Sequence, residues 1–168
     1  MTTLKTLSKA TLALGFTLLA ATVAYGQATN MGTGSTDLWT TDFQKSFMTE
    51  KMMHMMDTSG KGMVTKADYD KYMGKVFDMM DKNHKGMLDK NAFLAVEMGT
   101  GSTTIWTTDF QKTFRTAEMM HTMDNGKGMV SKADFMAHMD KIFDTLDKDH
   151  NGMLEKNEFM YNLVFHTN

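Results

Sequence analysis

Residues 147–158 read DKDHNGMLEKNE, and residues 81–92 read DKNHKGMLDKNA. They are one design written twice. They differ at four positions, each an acid or amide in the later stretch: Asp149 against Asn83, Asn151 against Lys85, Glu155 against Asp89, and Glu158 against Ala92. The later stretch carries side-chain oxygens at its first, third, fifth, ninth and twelfth positions, around a glycine at the sixth. The earlier one keeps the glycine and the apolar residue at position 8. It has lost the oxygens at positions 5 and 12.

The likeness extends outward over most of the chain. MGTGSTDLWTTDFQKSF at 31–47 returns as MGTGSTTIWTTDFQKTF at 98–114, and KGMVTKADY at 61–69 as KGMVSKADF at 127–135. The offset is 67 residues at first and 66 later, one residue having been lost where DTSGKG at 57–62 becomes DNGKG at 124–128. Repeats of this length are supersecondary units that bury surface against each other. Within each copy the apolar period is helical: Tyr69, Tyr72, Met73, Val76, Phe77 and Met80 form one stripe. Phe135, His138, Met139, Ile142, Phe143 and Leu146 form its counterpart. Thr41 to Gln44 and Thr108 to Gln111 read as capping boxes, with Thr65 to Asp68 and Ser131 to Asp134 as acidic versions. Each copy then reads helix, glycine loop, helix, glycine loop, short helix. The expected fold is all-α, with a repeat at 27–98, a second at 99–168 and a small flexible joint at 99–104.

The stretch 147–158 resembles the calcium-binding loop of the EF-hand family at every position. A hard cation takes six to eight oxygens. The resemblance implies Ca²⁺ held by Asp147, Asp149, Asn151, the carbonyl of Met153, Glu155 directly or through water, and both oxygens of Glu158. Gly152 makes the sharp turn, and Leu154 falls where paired loops share a short strand. Phe143 and Phe159 flank the loop as the family's helices require.

The other three loops depart from that pattern. Residues 81–92 offer Asp81, Asn83 and Asp89, but Lys85 and Ala92 stand where oxygens belong. Residues 57–68 offer Asp57, Ser59, Thr65 and Asp68, with Lys61 at position 5 and an acid one methylene shorter at position 12. Residues 124–134 offer Asp124 and Asp134 but are one residue short, so Asp124 and Gly128 cannot both hold the family positions. These three are expected to serve as scaffold or as weak sites.

Only twelve residues separate loop 57–68 from loop 81–92, and the same number separate the later two. Twelve helical residues span about 18 Å. The leaving helix of one loop is therefore the entering helix of the next, and the two loops lie at its opposite ends. Any pairing through Val64, Leu88, Val130 and Leu154 must cross between repeats, giving one interlocked helical domain. This spacing resembles that of lanmodulin-like EF-hand proteins, which are periplasmic and bind lanthanides. Their loops carry Pro at position 2, where this chain has Lys148. By the same resemblance, 57–68 pairs with 147–158 and 81–92 with 124–134; pairing like with like is the alternative. La³⁺ and Mg²⁺ are the alternative ions.

Residues 1–26 read as a secretory signal peptide. Lys5 and Lys9 precede an apolar run at 10–24, and Ala24-Tyr25-Gly26 forms a small-x-small cleavage site. The expected location is outside the cytoplasm, periplasmic or secreted, with no membrane association after cleavage. Beyond the leader, 20 acids face 16 Lys plus Arg, a net charge of −4 that argues against a nucleic-acid partner. With no cysteine there are no disulfides, thiolate sites or Cys nucleophiles. Neither HExxH nor a Ser/His/Asp signature is present, and no enzyme is expected.

The chain carries 21 methionines, several beside histidines: MMHMM at 52–56, MMHTM at 119–123 and MAHM at 136–139. Thioethers with imidazoles suit Cu(I), so a soft-metal protein is the alternative function. The simpler reading is packing, with Met52, Met53, Met56, Met119, Met120 and Met123 as core filler. Trp39, Phe43, Phe47 and His54, and likewise Trp106, Phe110, Phe114 and His121, are expected to share a second helix face. That face either joins the two repeats or, with the Met-rich faces, receives a protein or peptide partner. A protein-interaction scaffold with one structural ion is the remaining alternative.

Overall fold

Thr40 and Thr107, each followed by a Thr-Asp-Phe run, start the first helix of each copy. Their hydroxyls accept hydrogen bonds from the N–H of Phe43 and Phe110, at 3.1 and 3.0 Å. The cap therefore lies one residue before the expected Thr41 and Thr108. A hydroxyl cap of this kind is worth about 1 kcal/mol. The computed structural model describes residues 38–96, 105–124 and 126–161, all within one compact unit, Thr33–Asn168. The leader expected at 1–26 and the joint expected at 99–104 lie outside the described residues.

The first copy runs α1 (Thr41–Phe47), α2 (Glu50–Met56), β1 (Val64–Thr65), α3 (Lys66–Met80), β2 (Met87–Asp89) and α4 (Lys90–Leu94). The second runs α5 (Thr108–Phe114), α6 (Ala117–Met123), β3 (Met129–Ser131), α7 (Lys132–Leu146), β4 (Met153–Leu154) and α8 (Lys156–Phe159). The fold is mostly helical, as expected.

The opening helix of each copy is not continuous. It stops at Met48 and at Arg115, and a new helix starts after Thr49 and Thr116. Those two threonines have extended backbone and cap Met52 and Met119 through their hydroxyls, at 3.2 and 3.1 Å. The break rotates the second segment away from the first. His54 and His121 are consequently exposed and do not join the Trp/Phe face.

That face is the seam between the copies. Phe43 stacks on Phe47 and Phe110 on Phe114, with centroids 5.2 and 5.3 Å apart. Across the seam Phe43 meets Phe110 at 5.5 Å and Phe114 at 5.3 Å. Offset and tilted ring pairs add roughly 0.5–1.5 kcal/mol each beyond their buried area. Trp39 and Trp106 are buried with them, as are Met52, Met53, Met56, Met119, Met120 and Met123. Neither the Trp/Phe face nor these methionines stands open to a partner; the chain covers both by itself.

The long helices α3 and α7 pack together at the centre. The Tyr69 hydroxyl donates to the Met139 carbonyl at 3.0 Å. Each long helix also holds the start of the other copy: the Tyr72 hydroxyl donates to the Ile105 carbonyl, and His138 bonds the backbone of Leu38. The loops pair in the crossed manner. β1 runs antiparallel to β4 with Val64 opposite Leu154, and β2 to β3 with Leu88 opposite Val130. These four side chains are fully buried. Like-with-like pairing does not occur.

Candidate metal centre

α7 ends at Asp147, whose N–H donates to the Phe143 carbonyl at 2.8 Å. This places the first carboxylate of loop 147–158 at the mouth of a buried helix. The chain then folds back on that carboxylate. Its Oδ1 accepts from the Asn151 N–H at 3.1 Å and its Oδ2 from the Gly152 N–H at 2.9 Å. Two residues of the loop have positive φ: His150 at 57° and Gly152 at 76°. Histidine tolerates the left-handed region better than most residues, and glycine enters it freely.

Further hydrogen bonds fix the remaining groups. Asp149 accepts from the Asn151 N–H and side-chain amide, and the Asn151 Oδ1 accepts from the Met153 N–H at 2.8 Å. Glu158 enters from α8 as the twelfth residue of the loop. Its Oε1 accepts from the Lys148 N–H and its Oε2 from the Glu155 N–H, both at 3.1 Å. Each oxygen has a second lone pair, so both remain able to face an ion. One ligand atom from each of Asp147, Asp149 and Glu158 lies within 4.8 Å of the others. Asp147 and Glu158 are buried, while Asp149 is open to solvent. Among the described residues no other trio of acidic or imidazole groups converges in this way.

Three carboxylates at this spacing repel one another unless a cation lies between them. The donors are hard oxygens, and the apolar groups behind them are fixed. Leu154 is clamped against Val64, and Phe143 and Phe159 are buried beneath. The residues present fit a hard divalent ion. Glu155 is the N-cap of α8, and Met153 is the strand residue before the clamp.

The other loops use their oxygens internally. In loop 57–68, Asp57 accepts from the N–H and hydroxyl of Ser59 and from the Gly62 N–H. Burial pushes its carboxyl up, but these hydrogen bonds outweigh burial and hold it below the usual range. Asp68, the twelfth residue, takes a hydroxyl on each oxygen, from Thr58 and from Thr65. Those bonds hold it below the ordinary value. In loop 81–92, Asp81 accepts from the N–H of Lys85 and Gly86, Asn83 accepts from Lys85, and Asp89 caps α4 through the Ala92 N–H. Its backbone matches that of 147–158, with His84 at φ 53° and Gly86 at 71°.

The short loop 124–134 differs at its first residue. Asp124 has ψ −6°, whereas Asp57, Asp81 and Asp147 have ψ 87°, 64° and 81°. Its carboxylate bonds the Gly126 N–H at 2.8 Å, and Asp134 is engaged by the Ser131 hydroxyl at 2.6 Å.

Two supports of the site left no mark in the ligand pattern. Lys156 reaches Glu50 at 2.8 Å, and the Tyr161 N–H donates to the Met48 carbonyl at 3.1 Å. Both tie α8, and so Glu158, to the first copy. Residues 139–160 match the family described as EF hand, spanning the second half of α7, the loop and α8. No curated protein matches the chain.

Proposed function

We propose that the chain is a non-catalytic Ca²⁺-binding protein, exported from the cytoplasm by its leader, with one strong site in loop 147–158. The observation that carries this reading is the convergence of Asp147, Asp149 and Glu158 within 4.8 Å inside the segment that matches the EF hand. Asn151, the Met153 carbonyl and Glu155, directly or through water, complete the six or more oxygens that Ca²⁺ takes. The two-oxygen bite of Glu158 favours Ca²⁺ over Mg²⁺, which demands tighter octahedral geometry and keeps its waters. Loops 57–68, 81–92 and 124–134 serve in this reading as scaffold.

Calorimetric titration with Ca²⁺, Mg²⁺, La³⁺ and Cu(I) tests the reading. One Ca²⁺ per chain is expected, with at least roughly 100-fold weaker binding in Glu158→Gln. The amide keeps an acceptor for the loop N–H groups but loses the charge and one ligating oxygen. Wild-type affinity in that variant would overturn the assignment. Tight Cu(I) binding that displaces Ca²⁺ as the preferred ion would replace the function with the soft-metal one.

A further inference from the structure

The ribbon at the other end of α3 and α7 carries a feature that ion binding does not use. Among the described residues, the exposed large apolar side chains are Met87 and Met129, at 42% and 41% of full exposure. The register places Met87 opposite Ser131 and Met129 opposite Asp89. The two methionines are therefore diagonal neighbours on one face of the ribbon, about 7–8 Å apart. The other face holds Leu88 and Val130, both fully buried. The same register position in the ion-binding loop is Met153, which is only partly exposed.

With no cysteine, the thioethers are the only sulfur in the chain and have no thiol to compete with. We propose that Met87 and Met129 form a paired oxidation site, at which peroxides convert the two thioethers to sulfoxides while the fold and the ion site persist. The sulfur lone pair attacks one peroxide oxygen. An S–O bond forms as the O–O bond breaks, and sulfur is oxidised by two electrons. The second oxygen leaves as hydroxide and takes the proton of the first, giving water. A sulfoxide is polar and needs solvation. On this ribbon face the new oxygen stands in water, and the strand pairing and the inner Leu88–Val130 contact are untouched. At Met119, Met120 or Met123 the same oxygen would be buried, so reaction there requires opening the core.

Trypsin separates the sites, since 86–90 holds Met87, 128–132 holds Met129, 62–66 and 149–156 hold Met63 and Met153, and 116–127 holds the buried trio. After a hydrogen peroxide pulse on the full chain, 86–90 and 128–132 should gain about 16 Da at least roughly tenfold faster than 116–127. Helicity and Ca²⁺ binding should be unchanged when both have reacted. A methionine sulfoxide reductase should restore the original masses. The fast phase should vanish in Met87→Leu with Met129→Leu. Equal rates across all peptides, a fast phase that survives the double variant, or helix loss accompanying the first oxygens would each overturn the proposal.

Discussion

His138 stands where the first copy has Tyr72, and both hold the opening segment of the opposite copy. The tyrosine does this with a neutral hydroxyl. The histidine is a titratable ring, almost fully buried, whose Nε2 has no hydrogen-bond partner among the described residues. Burial pushes it down to about 4 from an ordinary 6.5; the bond to Leu38 opposes the shift and Lys141 adds to it. The fold favours the neutral ring, so this contribution is complete above the unfolded value of 6.5 and is lost as the pH falls toward 4. Over the whole window it amounts to on the order of 3 kcal/mol. Asp57 and Asp68 act in the same sense on a lower window: held below 3.8, they lose stabilisation only in more acid solution. Urea unfolding should therefore show a loss between about pH 6.5 and 5 that His138→Gln reduces by about 1–2 kcal/mol. Identical pH slopes for the two proteins would exclude His138 as the cause. The stripe position of His138 was legible in the sequence, because it falls on the apolar period. The role of Arg115 was not. It is buried over Trp106 and donates to the carbonyls of Ala92 and Phe93, at 2.7 and 2.9 Å, so closing α4. Its counterpart in the first copy is Met48, and no local signal marks a cap that acts across 22 residues.

Among the elements, loops were easier to read than helix starts. The oxygens of 147–158 stand at the spacing that a hard cation requires of a loop, and the fold brings three of their carboxylates together. The break at Met48–Thr49 escaped because the Trp/Phe and Met stripes each keep a helical period on either side of it. The signal was Thr49 itself, an N-cap residue followed by Glu50 in the first turn. The assignment of the first caps to Thr41 and Thr108 failed for a related reason: adjacent threonines offer two candidate starts, and backbone geometry selects Thr40 and Thr107. Loop 81–92 carries its own test. Its turn residues, its bonds to Asp81 and its strand pairing already match the ion loop, and only the side chains at positions 5 and 12 differ in kind. Lys85→Asn with Ala92→Glu should therefore raise the Ca²⁺ stoichiometry from one to two. A titration that still ends at one ion would show that the short partner loop 124–134 disables this end through its backbone.

For the whole molecule, the crossed pairing was legible from the twelve-residue gap, since a shared helix about 18 Å long keeps the loops of one copy apart. What no sequence pattern displayed is how completely the copies share a core. Phe47 meets Phe110 and Phe159, Tyr69 meets Phe143, and Phe77 meets Phe135. Residues 27–98 expressed alone would uncover those rings and leave β1 and β2 without partners. That fragment should be poorly folded as a monomer, or dimerise so that a second copy supplies the missing strands. A monomer with full helicity and a cooperative transition, by circular dichroism and sedimentation, would refute this. The crossed ribbons also bear on the molecule's symmetry. Exchange the two copies, and the β1–β4 ribbon maps onto β2–β3; the two ends are equivalent by construction. Joining the copies in one chain removes that equivalence, because each substitution now alters one end alone. Lys85, Ala92 and the residue missing before Gly126 all fall at one pole, and the converging carboxylates at the other. The molecule has thereby acquired a head and a tail, a direction along α3 and α7 that two identical copies could not possess.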